Sequence, residues 1–342
     1  MSWWQPHNFS EKHTNLRRRR QIIREIRAFF DSQDFIEVET PALQICPTID
    51  AHIHGFKTKF FDHSLTPVGN YYLQTSPEFD MKKLLVAGMQ RIYQICHVYR
   101  NAEISRLHSP EFTMIEWYRT DDNYKSIMED CIDLLRHIAK NIGIQHYKHR
   151  GRECDPFAPF EIISVSDAFE KYAGLDLSLY LDDSDKFANA LEVSGIRVAE
   201  DDQWDDLFFR VMAEKIEPYL GAGHPTILYD YPVCMASLSK RKEDDPRYAE
   251  RFELYVCGVE LANAFSELTD AEEQRARYEQ EMQIKENIYG YRYPPDEDFF
   301  KALDYGMPES GGIALGIDRL VMLACGANDI KDVLWAPVQT LE

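Results

Sequence analysis

The sequence predicts an α+β fold in which an antiparallel sheet is flanked by helices and carries an inserted, mainly helical lobe. Three stretches predict it. Arg91–Arg100 is rich in aromatic and β-branched residues, and Glu111–Tyr118 alternates faces, so the two read as a hairpin joined by a polar loop. Ile227–Tyr231 and Phe252–Ala264 return to strand character, with a turn at Cys257-Gly258 that pairs Tyr255 with Glu260. Between these hairpins, Asn123–Ile142 sets Ile127, Cys131, Leu134, Leu135 and Ile138 on one helical face and closes at Gly143. Residues 144–224 then mix short helical runs with acidic segments, which reads as the lobe.

The remaining elements follow in chain order. Residues 1–13 read as a loose arm. Thr14 caps a helix to about Ser32, with Ile23, Ile26 and Phe30 on one face. Phe35–Leu43 is a short strand stopped by Pro41, which removes a ladder donor. Thr58–Tyr72 reads as a hairpin around Pro67 and Gly69. Ser76 caps the next helix, Pro77 takes its first position, Glu78 meets the positive end of its dipole, and Gly88 ends it. Asp270 and Glu273 form a capping box for a helix to about Tyr289. Gly311–Leu323 is a Gly-rich strand running into a helix, where glycine allows close approach of a ligand. Arg319, in the first turn of that helix, opposes the dipole, so an anionic ligand explains it better than structure does.

Composition narrows the function. The 342 residues, 44% hydrophobic, suffice for one large core or a core with a lobe. No run approaches a membrane span, and the N-terminal Arg cluster lacks the apolar segment of a signal peptide. Seven cysteines without a C-x-x-C pair fit buried thiols in a reducing cytosol, hence a cytoplasmic enzyme. A net charge of −20 argues against a large RNA footprint, because phosphate binding relies on Lys and Arg. The one basic run, Arg17–Arg20, reads as the solvated face of its helix.

Chemistry concentrates on the sheet. Phe112, Met114, Glu116 and Tyr118 share a face, and Glu103, Arg106 and His108 occupy the loop before it. The pattern suits a nucleotide beside a small amine, or an ordinary hairpin with a solvated face. Glu253 and Glu260 share a face and repel, which suits a hydrated Mg²⁺ arriving with a nucleotide, or two exposed glutamates. Asn263, Phe265 and Glu267 have the opposite parity from Glu260, so one common site requires a bulge near Leu261-Ala262. Neither a P-loop nor a G-x-S-x-G elbow occurs.

The stretches FIEVETP, YRNAEISRLHSPEFTMIEWY and GGIALGIDR resemble motifs 1, 2 and 3 of class II aminoacyl-tRNA synthetases. TSPEFDMKKLLVAG and RFELYVCGVELANAFSELTDAEEQ narrow the resemblance to the lysyl-tRNA synthetase branch. About thirty residues precede motif 1, too few for an anticodon-binding OB-fold. With the acidic balance, this resembles the truncated elongation factor P–lysine ligase family. The resemblance implies a single class II catalytic domain over residues 1–342, with 144–224 inserted. It implies ATP-dependent formation of a lysyl- or (R)-β-lysyl-adenylate and transfer of the acyl group to a lysine of elongation factor P. It also implies Mg²⁺, a homodimer formed through the Thr14–Pro41 region, and no stable tRNA or membrane binding.

Residue by residue, the resemblance assigns Arg100 and Arg319 to the phosphates as catalytic groups and Phe112 to adenine stacking. It places Asn101, Ala102, Glu103, His108, Ser109, Glu260, Leu261 and Gly316 around ATP. Glu253 and Glu260 hold Mg²⁺. Ser76, Pro77, Glu78, Glu116, Tyr118, Asn263, Glu267 and Ala314 hold the amino acid. Three positions depart from the pattern. Asn101-Ala102-Glu103 displaces by one residue the Glu that reads adenine, so Glu103 or a backbone group takes that place. Ser109 stands where Asn is usual, and Ala314 replaces the Gly of lysyl-tRNA synthetases. Two alternatives are a short asparagine-synthetase-like ligase that uses ammonia, and a regulatory synthetase-like module without catalysis. The first needs a basic side-chain pocket, and the second predicts loss of the phosphate Arg or metal carboxylates.

Overall fold

The first helix, α1 (Pro6–Asp31), buries Ile22, Ile26, Phe29 and Phe30, and a computed structural model describes the chain over residues 3–339. It begins at Pro6 and not at Thr14, so the expected arm is helical from there; Met1 and Ser2 lie outside the described residues. Pro supplies a helical φ and lacks the N–H that a helix start would leave unpaired, which makes Pro6 the better start. The expected strand Phe35–Leu43 is split in two. β1 (Ile36–Glu37) pairs with one sheet and β2 (Leu43–Gln44) with another, on either side of Pro41.

β3 (Lys57–Phe61) and β4 (Pro67–Leu73) form the next hairpin, but its turn is Asp62–Thr66, with Pro67 and Gly69 inside β4. Asp62 Oδ1 accepts from the N–H of Ser64 (2.8 Å) and Thr66 (2.9 Å), a side-chain turn that outcompetes the expected one. α2 (Glu78–Val86) follows, with Pro77 at its cap, one position earlier than expected. β5 (Arg91–Tyr99), β6 (Glu111–Thr120) and α3 (Tyr124–Ile142) match the expected central hairpin and helix. Asn123 caps α3, and left-handed Gly143 (φ 72°) closes it.

The stretch 144–224 contains a small ribbon, β7 (Tyr147–His149) and β8 (Arg152–Cys154), and then β9 (Glu161–Ser164). Its helices are α4 (Val165–Ala168), α5 (Ser184–Val193) and α6 (Trp204–Val211). They bury Phe169, Phe187 and Phe208 in a cluster that ends on Leu228 and Tyr231. β10 (Thr226–Pro232), β11 (Tyr248–Val256), β12 (Val259–Ser266), α7 (Ala271–Tyr289), α8 (Glu297–Gly306), β13 (Ser310–Gly316) and α9 (Ile317–Cys325) complete the chain. Asp270 caps α7 through the Glu273 N–H, while the Glu273 carboxylate turns to Arg241 and Arg277.

Among the described residues the main sheet has eight strands in the order β1-β5-β6-β13-β12-β11-β10-β9. Its six inner strands run antiparallel, and parallel pairs occur only at its two edges, β1–β5 and β9–β10. The α+β class is therefore as expected. α1, α3 and α9 cover one face, where Ile115, Trp117, Ile313 and Leu315 join the largest core.

One buried polar knot crosses that core. Arg19, 4% exposed, pairs through Nη1 with Asp318, 1% exposed, and donates through Nη2 to Thr113 Oγ1 (2.7 Å). Asp318 Oδ2 accepts the Thr113 N–H at 2.9 Å. The Arg17–Arg20 run is thus not wholly solvated: Arg19 is interior, and Arg18 caps the Ala324 carbonyl at 2.9 Å. Removing one partner of such a pair strands a buried charge, so Arg19→Met should lower the unfolding free energy by about 3–5 kcal/mol. Denaturant titration checks this; a loss below about 1 kcal/mol would mean that the knot carries little of the fold.

Candidate active site

The face opposite that core holds a cavity of ≈ 300 Å³. The alternation of β6 turns Phe112 and Met114 toward it, and strand register aligns the rest. On β13, Gly316 lies opposite Met114, Ala314 opposite Glu116, and Gly312 opposite Tyr118, while Asn263 of β12 faces Ala314 from the other side. Cys257 (φ 57°) and Gly258 (φ 75°) form the expected turn, and Tyr255 pairs with Glu260. The register then shifts so that Leu254 faces Ala262, leaving Leu261 as the extra residue of the expected bulge. Glu260 and Asn263 consequently line one cavity despite their opposite parity.

One end of the cavity is cationic. Arg100, Glu103, His108, Ser109, Phe112, Glu260, Leu261, Gly316 and Arg319 all reach its wall. The Arg100 guanidinium sits 5.5 Å over the Phe112 ring. Arg319 donates to the Glu260 carbonyl (2.8 Å) and meets His108 Nε2 at 2.7 Å. Burial, and next the charge of Arg319, hold the His108 pKa down, so a neutral ring accepts from Arg319 and donates from Nδ1 to Ser105 Oγ (2.7 Å). A methyl on Gly316 would meet nothing closer than 3.8 Å, so the strand is open to close approach there. Asn101 and Ala102 do not reach the wall. The Asn101 N–H is spent on the His54 carbonyl (2.6 Å), its side chain accepts from the Ala102 N–H, and Ala102 is left-handed (φ 64°).

The other end is anionic and buried. Asn263 and Ala314 reach the cavity wall, while Ser76, Glu78, Glu116, Tyr118 and Glu267 form a cluster behind it, next to the Pro77 cap of α2. Ser76 Oγ donates to Glu116 Oε1 (2.6 Å) and accepts from the Glu78 N–H (3.1 Å), and Tyr118 donates to Glu116 Oε2 (2.7 Å). Glu267 Oε1 is buried without a hydrogen-bond partner among the described residues. It lies where β13 has no side chain: a methyl on Gly312 would fall 2.0 Å from Glu267 Oε1 and 2.4 Å from Tyr118 Cε1.

Two functional residues escaped sequence reasoning. Lys82, 1% exposed, places Nζ 2.5 Å from Glu78 Oε1 and 2.5 Å from Glu267 Oε2. Its spacing of four residues from Glu78 on α2 was the available signal. Arg251 holds Asn263 Oδ1 (2.9 Å) and Glu253 Oε1 (2.6 Å), so the Asn263 amide nitrogen is left to donate. Glu253 Oε2 also accepts from Tyr231 and Tyr255, both at 2.7 Å. Glu253 is therefore already saturated, and Glu260 is the carboxylate that the cavity presents. Burial first, and then the charge of Glu260, raise the Glu253 pKa, and a divalent cation between the two would relieve that repulsion.

Burial, then the neighbouring Glu78, pushes the Glu116 pKa up to about 7 from an ordinary 4.5, against the bonds from Ser76 and Tyr118. The folded protein thus holds a proton that the unfolded chain has released. The contribution of Glu116 to stability falls as pH rises from about 4.5 to about 7 and levels off above that. Glu116→Gln lacks this titration. Its stability relative to wild type should improve by roughly 2 kcal/mol between pH 5 and pH 7.5 in denaturant titrations. A difference that stays constant across that window would show that Glu116 ionises normally.

The tRNA synthetase class II family (D, K and N) matches residues 7–340 of this chain. The elongation factor P–(R)-β-lysine ligases of Salmonella arizonae and Salmonella paratyphi B are each 39% identical to it over 332 residues. That span covers 97% of this chain and 96% of either relative. With the sheet order, the cationic and anionic ends and this near full-length identity together, the chain belongs to the elongation factor P–(R)-β-lysine ligase family of class II synthetase-like enzymes.

Proposed function

We propose that the protein activates lysine or (R)-β-lysine with ATP and transfers the acyl group to a lysine side chain of elongation factor P. The observation that carries the choice of amino acid is the charge of the buried end. Three carboxylates cluster there: Lys82 pairs with Glu78 and Glu267, Glu116 accepts only from the hydroxyls of Ser76 and Tyr118, and one oxygen of Glu267 has no hydrogen-bond partner among the described residues. A cationic substrate supplies what is missing; an aspartate side chain would add a further negative charge, which disfavours the asparagine-synthetase-like alternative. The acceptor rests on the name borne by the relatives.

Adenylate formation needs no general base, because a carboxylate is already ionised at neutral pH. One substrate carboxylate oxygen attacks the α-phosphorus and pyrophosphate leaves. The neutral amine of the acceptor lysine then attacks the acyl carbonyl, the C–O bond to AMP breaks, AMP leaves, and the amine's proton passes to solvent. Arg100 and Arg319 stabilise the charge that grows on phosphate oxygens, and Phe112 offers a ring for adenine. The Asn263 amide donates to the substrate carboxylate and aims it. Mg²⁺ bound with the nucleotide would be held by Glu260, with Glu253 behind it, and would neutralise phosphate charge. The regulatory alternative predicts loss of these groups, and Arg100, Glu260 and Arg319 all line the cavity. We place the enzyme in the cytoplasm as a homodimer through α1 and β1, where apolar Ile36 is 55% exposed. No helix among the described residues is long and apolar enough to cross a membrane.

Amino-acid-dependent ATP–pyrophosphate exchange tests the reading. Exchange is expected with L-lysine or (R)-β-lysine and not with aspartate. Arg319→Ala should reduce it at least about 100-fold while the protein stays folded. Exchange with aspartate alone would overturn the pocket assignment, and an Arg319→Ala variant as active as wild type would overturn the phosphate assignment. A second prediction concerns Ala314, whose methyl stands between Glu116 and Asn263 in the register. Ala314→Gly should shift the ratio of kcat/KM for (R)-β-lysine over L-lysine toward L-lysine. An unchanged ratio would remove Ala314 from the specificity argument.

A further inference from the structure

We infer that Lys82 is a built-in ammonium that sets the charge of the amino-acid pocket, so that the pocket closes to neutrality only around a substrate carrying two ammonium groups. The inference deepens the proposed function and rests on its choice of a lysine isomer.

Lys82 is an unusual residue to find behind a pocket meant to bind a cation. It lies on α2, one turn after Glu78, and its Nζ bridges Glu78 Oε1 and Glu267 Oε2 at 2.5 Å each. Phe265 and Phe299 turn ring faces toward it at 5.5 Å and 6.0 Å. Burial opposes its charge, but Glu267 and Glu78 outweigh burial and raise its pKa, so it stays an ammonium. Glu267 is wholly buried, and among the described residues it forms an ion pair with Lys82 alone. Two consequences follow from chemistry alone. Lys82 holds together two carboxylates that would otherwise repel. It also takes the charge of the substrate-bound pocket, in which the ligand's ammonium groups keep Glu78, Glu116 and Glu267 ionised, from −3 to −2. A lysine isomer brings two ammonium groups to that end of the site, while its carboxylate goes toward Arg100. The total is then zero.

A purely structural ion pair and a charge-setting one differ in sign when a pocket charge is changed. In the wild type, Lys82→Met takes the pocket to −3 and releases the clamp. In a Glu267→Gln background, where the pocket stands at −1, the same substitution returns it to −2. The experiment measures KM for L-lysine and (R)-β-lysine in pyrophosphate exchange for the wild type, Lys82→Met, Glu267→Gln and the double variant, with KM for ATP as the control. Lys82→Met should raise the lysine KM at least about tenfold on its own. It should lower it about threefold or more in the Glu267→Gln background, with the ATP KM steady throughout. The double variant removes both wholly buried members of the pair and leaves only Glu78, whose side chain keeps 13% exposure to solvent, so it folds even where Lys82→Met does not. The comparison of the double variant with Glu267→Gln is then decisive. A lysine KM that rises, or stays level, on adding Lys82→Met to Glu267→Gln overturns the inference and leaves the proposed function standing. A wild type inactive with both lysine isomers overturns the proposed function, and the inference with it.

Discussion

The ion pair between Arg19 and Asp318, closed by Thr113, is the constraint on which the site depends. It ties the first helix, the central strand β6 and the start of the last helix into one unit. Phe112 precedes Thr113 and Arg319 follows Asp318, so the two flanks of the nucleotide end are neighbours of the knot in sequence. Neither can shift without disturbing a buried charge. Burying such a pair is costly, and its benefit here is geometric: a directional bond holds a strand and a helix in one relative position, where apolar contacts tolerate small slides.

The site has a single axis of polarity. Arginines stand at one end of the cavity and carboxylates behind the other, and β13 runs between them with almost no side chains. A ligand negative at one end and positive at the other is oriented by the field before any close contact forms. Charge also explains why the anionic end is the destabilised part of the ligand-free fold. Glu116 holds a proton near neutrality because burial outweighs its partners, and a ligand ammonium removes the reason for holding it.

Much of this was legible in the chain, for physical reasons. The period of two in Glu111–Tyr118 determined which side chains share the site face. The Cys257-Gly258 turn and the parity conflict between Glu260 and Asn263 located a bulge before any coordinates. Caps at Asn123 and Gly143 bounded α3. The errors arose where a long-range contact overrode a local signal. Arg19 looks like one of four solvated arginines because its partner lies some 300 residues away. Lys82 looks like an ordinary i,i+4 surface partner until Glu267 arrives from a distant strand. Pro41 was read as a strand terminator, but the strand it ends is really two, in different sheets. β9 is invisible locally, since its four residues become a strand only by pairing with β10.

Gly312 has a consequence for how amino-acid choice can change over evolutionary time. Its missing methyl is the space that Glu267 and Tyr118 occupy. Any larger residue there evicts a carboxylate, and any neutral residue at 267 leaves Lys82 with Glu78 as its one carboxylate partner among the described residues. These positions lie on different strands and a helix, yet they can change only in concert. A lineage leaving lysine for another amino acid must therefore cross a stretch of sequence space in which the intermediate pockets hold neither substrate well. Such a barrier keeps a specificity in place even where selection for it is weak.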